Sequence, residues 1–419
     1  MLLKKPGGNI HWILPLVALL LIVLAYYWYE WRTFTNFVQA IDHHSQFMQD
    51  FVGHYYPMGM QILHYPSPVG GYFYTSFFAL MLVPIGTQTL LTAMIVWGAI
   101  QLACLAAFCI FSARGLLELP PLKAVLFIGL CITSFPILHN VKWGQVSILI
   151  TVCVLAAFLA SKKNKPILAG ILLGFASAIK LYPAYYIVYF ILKRDVRACL
   201  SFGLSAFVFY FAFPAAVIGV HNWSEFEKAA NSAVTTADWV SEDVNSQYIV
   251  HVGLRWVDEF FNTAAGDNLS EILAIAGYMI ALSSIAVVWL LQKNAAPEEP
   301  ALSLVALFLA VPFVLKTSWP HYFVYLPFCQ TAILCHLARH HQQPGIWGKA
   351  LYVFPVSSML LSSIFIFNLF PDWAIYNSHG MLFLENLLLL VSVYIITAQQ
   401  RVSSKPSHAP KTVIPGTVL

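Results

Sequence analysis

Charged side chains are scarce in this chain. Asp, Glu, Lys and Arg together make up 10% of its 419 residues, against about 25% in soluble domains. A soluble fold of this size needs more charge than that to cover its surface, and a disordered chain needs more still. Both classes are excluded. The net charge of +4 is too small to point to nucleic acid as a partner. Paired cysteines are also lacking. The seven Cys residues lie in or beside apolar segments and no CxxC occurs, so they read as small buried hydrophobes and not as disulfides or metal ligands. No internal repeat is evident.

What the chain has instead is apolar length, with 59% hydrophobic residues. A bilayer core of about 30 Å takes roughly 20 apolar residues as helix. The candidate segments are 11–29, 88–112, 124–139, 145–161, 166–192, 198–220, 270–292, 299–318, 320–338, 350–370 and 380–398. Lys4 and Lys5 precede the first of them and Tyr26, Tyr27, Trp28 and Tyr29 close it. That is an interfacial aromatic belt, so the segment reads as an uncleaved span and not as a signal peptide. The short piece 73–86 reads as re-entrant. Segment 166–192 is too long for one crossing and is interrupted by Lys180 and Pro183.

Lys and Arg in short loops set the topology. Lys162, Lys163 and Lys165 precede segment 166–192, and Lys193, Arg194 and Arg197 follow it. Both clusters belong in the cytoplasm, so the segment goes out and comes back as two limbs, 166–179 and 184–192. The resulting expectation is an all-α polytopic membrane protein of about twelve crossings, some short or re-entrant. It forms a single domain over 1–400 with both termini cytoplasmic and a disordered tail over 401–419. Two extracytoplasmic caps follow, 30–87 and 221–269.

Of the 22 basic residues, this topology leaves Arg32, Lys142, Lys180, Lys228, Arg255 and Lys316 on the outer face. A cation within a span costs about 2.5–3.5 kcal/mol on insertion scales. Lys142, Lys180 and Lys316 come from distant segments to one membrane depth, and a bound phosphate would compensate them; snorkelling to the headgroups is the competing reading. Asp50 in the first loop is a candidate general base, with Asp42, beside His43 and His44, as its rival. His43, His44, His54 and His64 match no metal-ligand spacing. His336 and His340 read as a solvated pair. His321, after Trp319-Pro320, can donate to a phosphate or tune a base. Gln145 and Asn245 offer amides to sugar hydroxyls, and Tyr55, Tyr56 and Trp319 offer aromatic contact to sugar or acceptor.

These residues fall into a pattern. Asp50-Phe51 with Tyr55-Tyr56, then Tyr65-Pro66-Ser67-Pro68 and Phe77-Phe78-Ala79-Leu80, resembles the first-loop signature of glycosyltransferase family 87. Gly144-Gln145-Val146-Ser147, Ala169-Gly170 and Lys180-Leu181-Tyr182-Pro183 resemble its central elements, and Ser318-Trp319-Pro320-His321-Tyr322 a later one. The sequence departs from the family in the first loop, where the Pro-Pro of the family's Tyr-Pro-Pro-Leu is replaced by the aromatic-rich Gly71-Tyr72-Phe73-Tyr74 or displaced to Pro66–Pro68. The resemblance implies a GT-C fold in a bacterial inner membrane and a polyprenyl-phosphate sugar donor. It implies inverting transfer of a hexose, mannose by family precedent, to an extracytoplasmic glycolipid or glycan. Carried over, Asp50 is the base, and Lys180 and His321 meet the donor phosphate. No cofactor is required on this reading; a divalent metal is helpful but not obligatory. A flippase for lipid-linked sugars, or a subunit without chemistry, is the rival from another class. Against a flippase, the polar residues gather on one face and no paired halves are present.

Overall fold

A computed structural model of the chain describes residues 47–235, 243–261, 267–294, 299–340, 346–370 and 373–403. The first apolar segment, the first loop up to residue 46 with Arg32, Asp42, His43 and His44, and the tail beyond 403 lie outside the described residues. Among the described residues every named element is helical, and the β-contact is an isolated antiparallel bridge between Ser134 and Ser363. The helices Leu90–Leu116, Val196–Ile218, Asn268–Lys293 and Met381–Gln400 are long and apolar enough to cross a membrane, with shorter apolar helices between them. All seven cysteines are free.

The layering follows from which helices are apolar on every side. Ser147–Lys162 and Glu299–Ala310 are buried almost throughout and form the centre of the bundle. Leu90–Leu116, Val196–Ile218 and Asn268–Lys293 turn Ile95, Leu102, Leu200, Leu204, Ile275 and Leu282 outward. An apolar surface of that kind is what a lipid-facing helix presents.

Segment 166–192 breaks where its Lys and Pro interrupt it. Pro166–Ile179 ends at Lys180, whose backbone is extended (φ −150°, ψ 138°), and the chain resumes as Tyr182–Tyr186 and Ile187–Leu192. Gly170 lies against Ala198 and Ser201, and Gly174 against Ser205 and Ala206. Matching positions advance together along both chains, so Pro166–Ile179 and Val196–Ala206 run parallel. The limb between them must therefore reverse direction. In lipid, helices associate through close backbone approach at small residues, and Gly170-Ile171-Leu172-Leu173-Gly174 supplies it. A side chain at Gly174 would collide with Ser205 Oγ and the backbone of Phe202 and Ala206. Gly174→Val is therefore expected to cost about 1–3 kcal/mol of stability through overpacking. Thermal unfolding in detergent checks it, and an unchanged midpoint would contradict the close approach.

The single helix expected over 124–139 is instead two, Pro121–Ile132 and Phe135–Trp143. Segment 350–370 likewise divides into Ile346–Leu361 and Ile364–Phe367. The two breaks answer each other. Phe135 N–H donates to Ser362 O at 2.7 Å, and Ile364 N–H donates to Thr133 O at 2.8 Å. Backbone groups freed inside an apolar bundle need such partners. The break lets Phe135–Trp143 leave the line of its predecessor and stand beside the chain at Pro320–Tyr325.

The second cap contains two helices, Val220–Thr235 and Ile249–Phe261. Glu227 on the first accepts from Ser76 N at 2.9 Å and Ser76 Oγ at 2.7 Å. It thereby caps the start of Ser76–Gly86, the piece read as re-entrant.

Candidate active site

Where Ser147–Lys162 begins, its preceding turn opens onto a cavity of about 310 Å³. Gly144 makes that turn with φ 68°. A Cβ there would press on Phe51 and Met48, so the site tolerates only glycine's conformational range. Trp97 Nε1 donates to Gly144 O at 2.7 Å and pins the turn. Gln145, the next residue, is thus aimed at Asp50 at the head of the helix Phe51–Tyr55.

The Gln145 side chain is held at both ends. The Tyr55 and Tyr74 hydroxyls lie 2.8 and 2.7 Å from Oε1, and 2.7 Å from each other. Two hydroxyls converging on Oε1 orient the amide so that Nε2 donates to Asp50 Oδ2. The other carboxylate oxygen, Oδ1, is 4.0 Å from His54 Nε2. Burial raises the Asp50 carboxyl above its ordinary range, while the Gln145 hydrogen bond and the nearby His54 and Lys180 offset part of that rise. A carboxylate positioned in this way can accept a proton from a hydroxyl brought to Oδ1.

Lys180 stands behind this group. Its Nζ is 4.4 Å from the centre of the Tyr74 ring and 4.5 Å from that of Tyr322, an aromatic cage for a cation. On another wall three rings stack. His321 lies 5.8 Å from His139, and His139 5.7 Å from Trp143. His321 is 3% exposed, and among the described residues neither ring nitrogen has a hydrogen-bond partner. Buried imidazole nitrogens without partners are rare in native structures, and these belong to a cavity-lining residue. Asp243, Asn245, Trp319 and Phe73 also line the cavity.

The cavity thus collects Asp50, Tyr55, Gln145, Asn245, Trp319 and His321 of the residues singled out in the sequence. Lys180 reaches its edge through Tyr74. Tyr56, Lys142 and Lys316 are not in the lining. Tyr56 donates to Gln88 O at 2.8 Å. Lys142 and Lys316 have exposed side chains, and it is their backbone carbonyls that serve the site's frame, accepting from Met48 N and Ser246 Oγ. Sequence reasoning passed over Tyr74, His54, His139, Trp143 and Asp243 as site residues. Tyr74 stands in the Gly71-Tyr72-Phe73-Tyr74 stretch and His139 three residues before Lys142, which is the signal available. Asp243 was one acid among eight in the loop 221–269. Among the described residues no three His, Cys, Asp or Glu side chains come together as a metal site.

The family model described as glycosyltransferase family 87 matches residues 72–315. The polyprenol-phosphate-mannose-dependent alpha-(1-2)-phosphatidylinositol mannoside mannosyltransferase of Mycobacterium tuberculosis is 26% identical over 46% of this chain and 42% of its own length. Its counterpart in Mycolicibacterium smegmatis is 26% identical over 52% of this chain and 47% of its own. A polyprenol-phosphate-mannose-dependent alpha-(1-2)-phosphatidylinositol pentamannoside mannosyltransferase of Mycobacterium tuberculosis is 29% identical over 35% and 37%. The chain therefore spans less than half the length of each of these relatives. No solved structure matches.

Proposed function

The chain belongs to glycosyltransferase family 87, and from that premise we propose that it is an integral-membrane transferase with a GT-C fold. It moves a hexose, mannose by the names of its relatives, from a polyprenyl-phosphate donor to a hydroxyl of a glycolipid or glycan. The observation that carries the reading is the Asp50–Gln145 pair, set in a cavity with a caged lysine beside it. In the proposed step the acceptor oxygen attacks the anomeric carbon as its proton passes to Asp50 Oδ1. The bond from that carbon to the phosphate oxygen breaks on the opposite side, and the configuration inverts. The electron pair leaves with the polyprenyl phosphate, which Lys180 and His321 receive. Stabilising charge that develops on a leaving group is the main electrostatic task of such a site. The donor anion leaves stably, so the proposal requires no cofactor.

The charge distribution supports an extracytoplasmic site. Ser147–Lys162 starts beside the cavity and ends at Lys162, which meets Glu118 at 2.7 Å. Lys193 and Arg339 gather at that same far end, on Ser161 and the Leu117 carbonyl. A helix of 16 residues separates the ends by about 24 Å. With the basic end cytoplasmic, the cavity opens outward.

Purified protein in liposomes, given labelled polyprenyl-phosphate mannose and a mannoside glycolipid, is expected to move label into the acceptor. Label that crosses the bilayer without forming a glycosidic product would overturn the reading in favour of a transporter. The pH profile of the same assay tests Asp50. The base must be ionised, and its folded pKa is raised. Transfer should therefore fall as pH drops through a value above the ~3.9 of a free aspartate. An acid limb at or below that value would remove Asp50 from the role.

A further inference from the structure

Asp243 lines the same cavity as Asp50, and both of its carboxylate oxygens are occupied as hydrogen-bond acceptors. Its Oδ2 accepts from Trp319 Nε1 at 2.7 Å. Its Oδ1 accepts from both the backbone N and the side-chain Nδ2 of Asn245, each at 2.9 Å. The short strap 243–247 is moored from several sides. The Arg255 guanidinium donates to the carbonyls of Asp243 (3.3 Å), Ser246 (2.6 Å) and Ser378 (3.2 Å). Asn377 donates to Asn245 Oδ1 at 2.8 Å, and Gln247 donates to Asn377 O at 2.9 Å. Gln247 N–H also donates to Ser318 O at 2.8 Å. Four stretches of chain, around 245, 255, 318 and 377, thus hold the strap whose Asp243 accepts from the indole.

We propose that Asp243 is a positioning residue that fixes Trp319 as the platform for the hexose of the lipid-phosphate donor. The inference rests on the transferase reading above. Trp319 begins the turn that continues through His321 to Tyr322, and Tyr322 forms one wall of the Lys180 cage. A hexose joined to its phosphate by one oxygen must lie within a few ångströms of that phosphate. If the phosphate meets Lys180 and His321, the sugar rests against the start of the same turn. A flat indole face suits the C–H face of a pyranose, while the N–H needs a fixed acceptor. Asp243 is that acceptor, and it sets the plane of the ring.

The test compares binding of polyprenyl-phosphate mannose and of bare polyprenyl phosphate to the full chain in nanodiscs. Asp243→Asn places an N–H where Trp319 or Asn245 already presents one. It should weaken the mannosylated lipid by about tenfold and leave the bare lipid unchanged, which also reports an intact fold. Trp319→Phe keeps an aromatic face but removes the indole N–H, and should give a similar sugar-dependent loss. The double variant should bind no worse than the weaker single, because both remove one interaction. Equal effects of Asp243→Asn on the two lipids, or additive losses in the double variant, overturn the proposal. A wild-type protein that binds both lipids equally also overturns it, since the sugar then contributes nothing. A wild-type protein that binds neither overturns the transferase reading itself.

Discussion

Asp50→Asn is expected to leave the protein folded and to reduce transfer by about 10³-fold or more, within the range seen when a positioned base is removed. The amide has the shape of the carboxyl, and its oxygen can still accept from Gln145 Nε2, the bond that now holds Oδ2. What the amide cannot do is take the acceptor's proton. Donor binding should therefore persist while turnover disappears. That division separates a missing base from a damaged cavity. Transfer within about threefold of wild type, a barrier change below about 0.7 kcal/mol, would reject the assignment. Loss of donor binding together with turnover would make Asp50 a structural residue of the pocket.

How much of this arrangement the sequence discloses depends on the kind of signal each residue carries. Gln145 follows a Gly in a short turn and Lys180 precedes a Pro in a broken segment. Chain-breaking residues mark such positions locally, so their neighbours can be read from order alone. Lys142 and Lys316 show the limit of charge counting. It places a residue at a membrane depth, but it does not say which side of the turn faces the cavity, and both side chains are exposed. Tyr74, His139 and Asp243 join the rest of the site through partners 71, 182 and 76 positions away. No local pattern encodes contacts of that separation. The break at Thr133–Ser134 carries a local mark, Pro136 in the first turn of the next helix, but the second break that satisfies its freed backbone lies more than 200 residues later and does not follow from that mark. The Ala169-Gly170 element of the resemblance turns out to serve packing, since Gly170 sits against Ser201.

Lys180→Met should act on the donor side of the reaction. The lysine ends Pro166–Ile179, and its ammonium sits between the rings of Tyr74 and Tyr322. Methionine can fill that apolar cage with nearly the same length, so the fold should survive. A hydrogen bond to a charged group contributes about 1.5–3 kcal/mol. Half-saturation in donor should then rise by roughly 10- to 100-fold, with a further fall in kcat because the departing phosphate loses its cation. A second readout comes from the base. Lys180 is among the groups that hold the Asp50 carboxyl down against the effect of burial. Removing the cation lets that pKa rise, so the acid limb of the pH profile should move to higher pH. A variant with unchanged donor dependence would remove Lys180 from the phosphate site. A variant with weakened donor use and an unmoved acid limb would place the lysine on the donor but electrostatically apart from Asp50. Both shifts together are what a single cavity requires, because one cation then faces the leaving phosphate and the base at once.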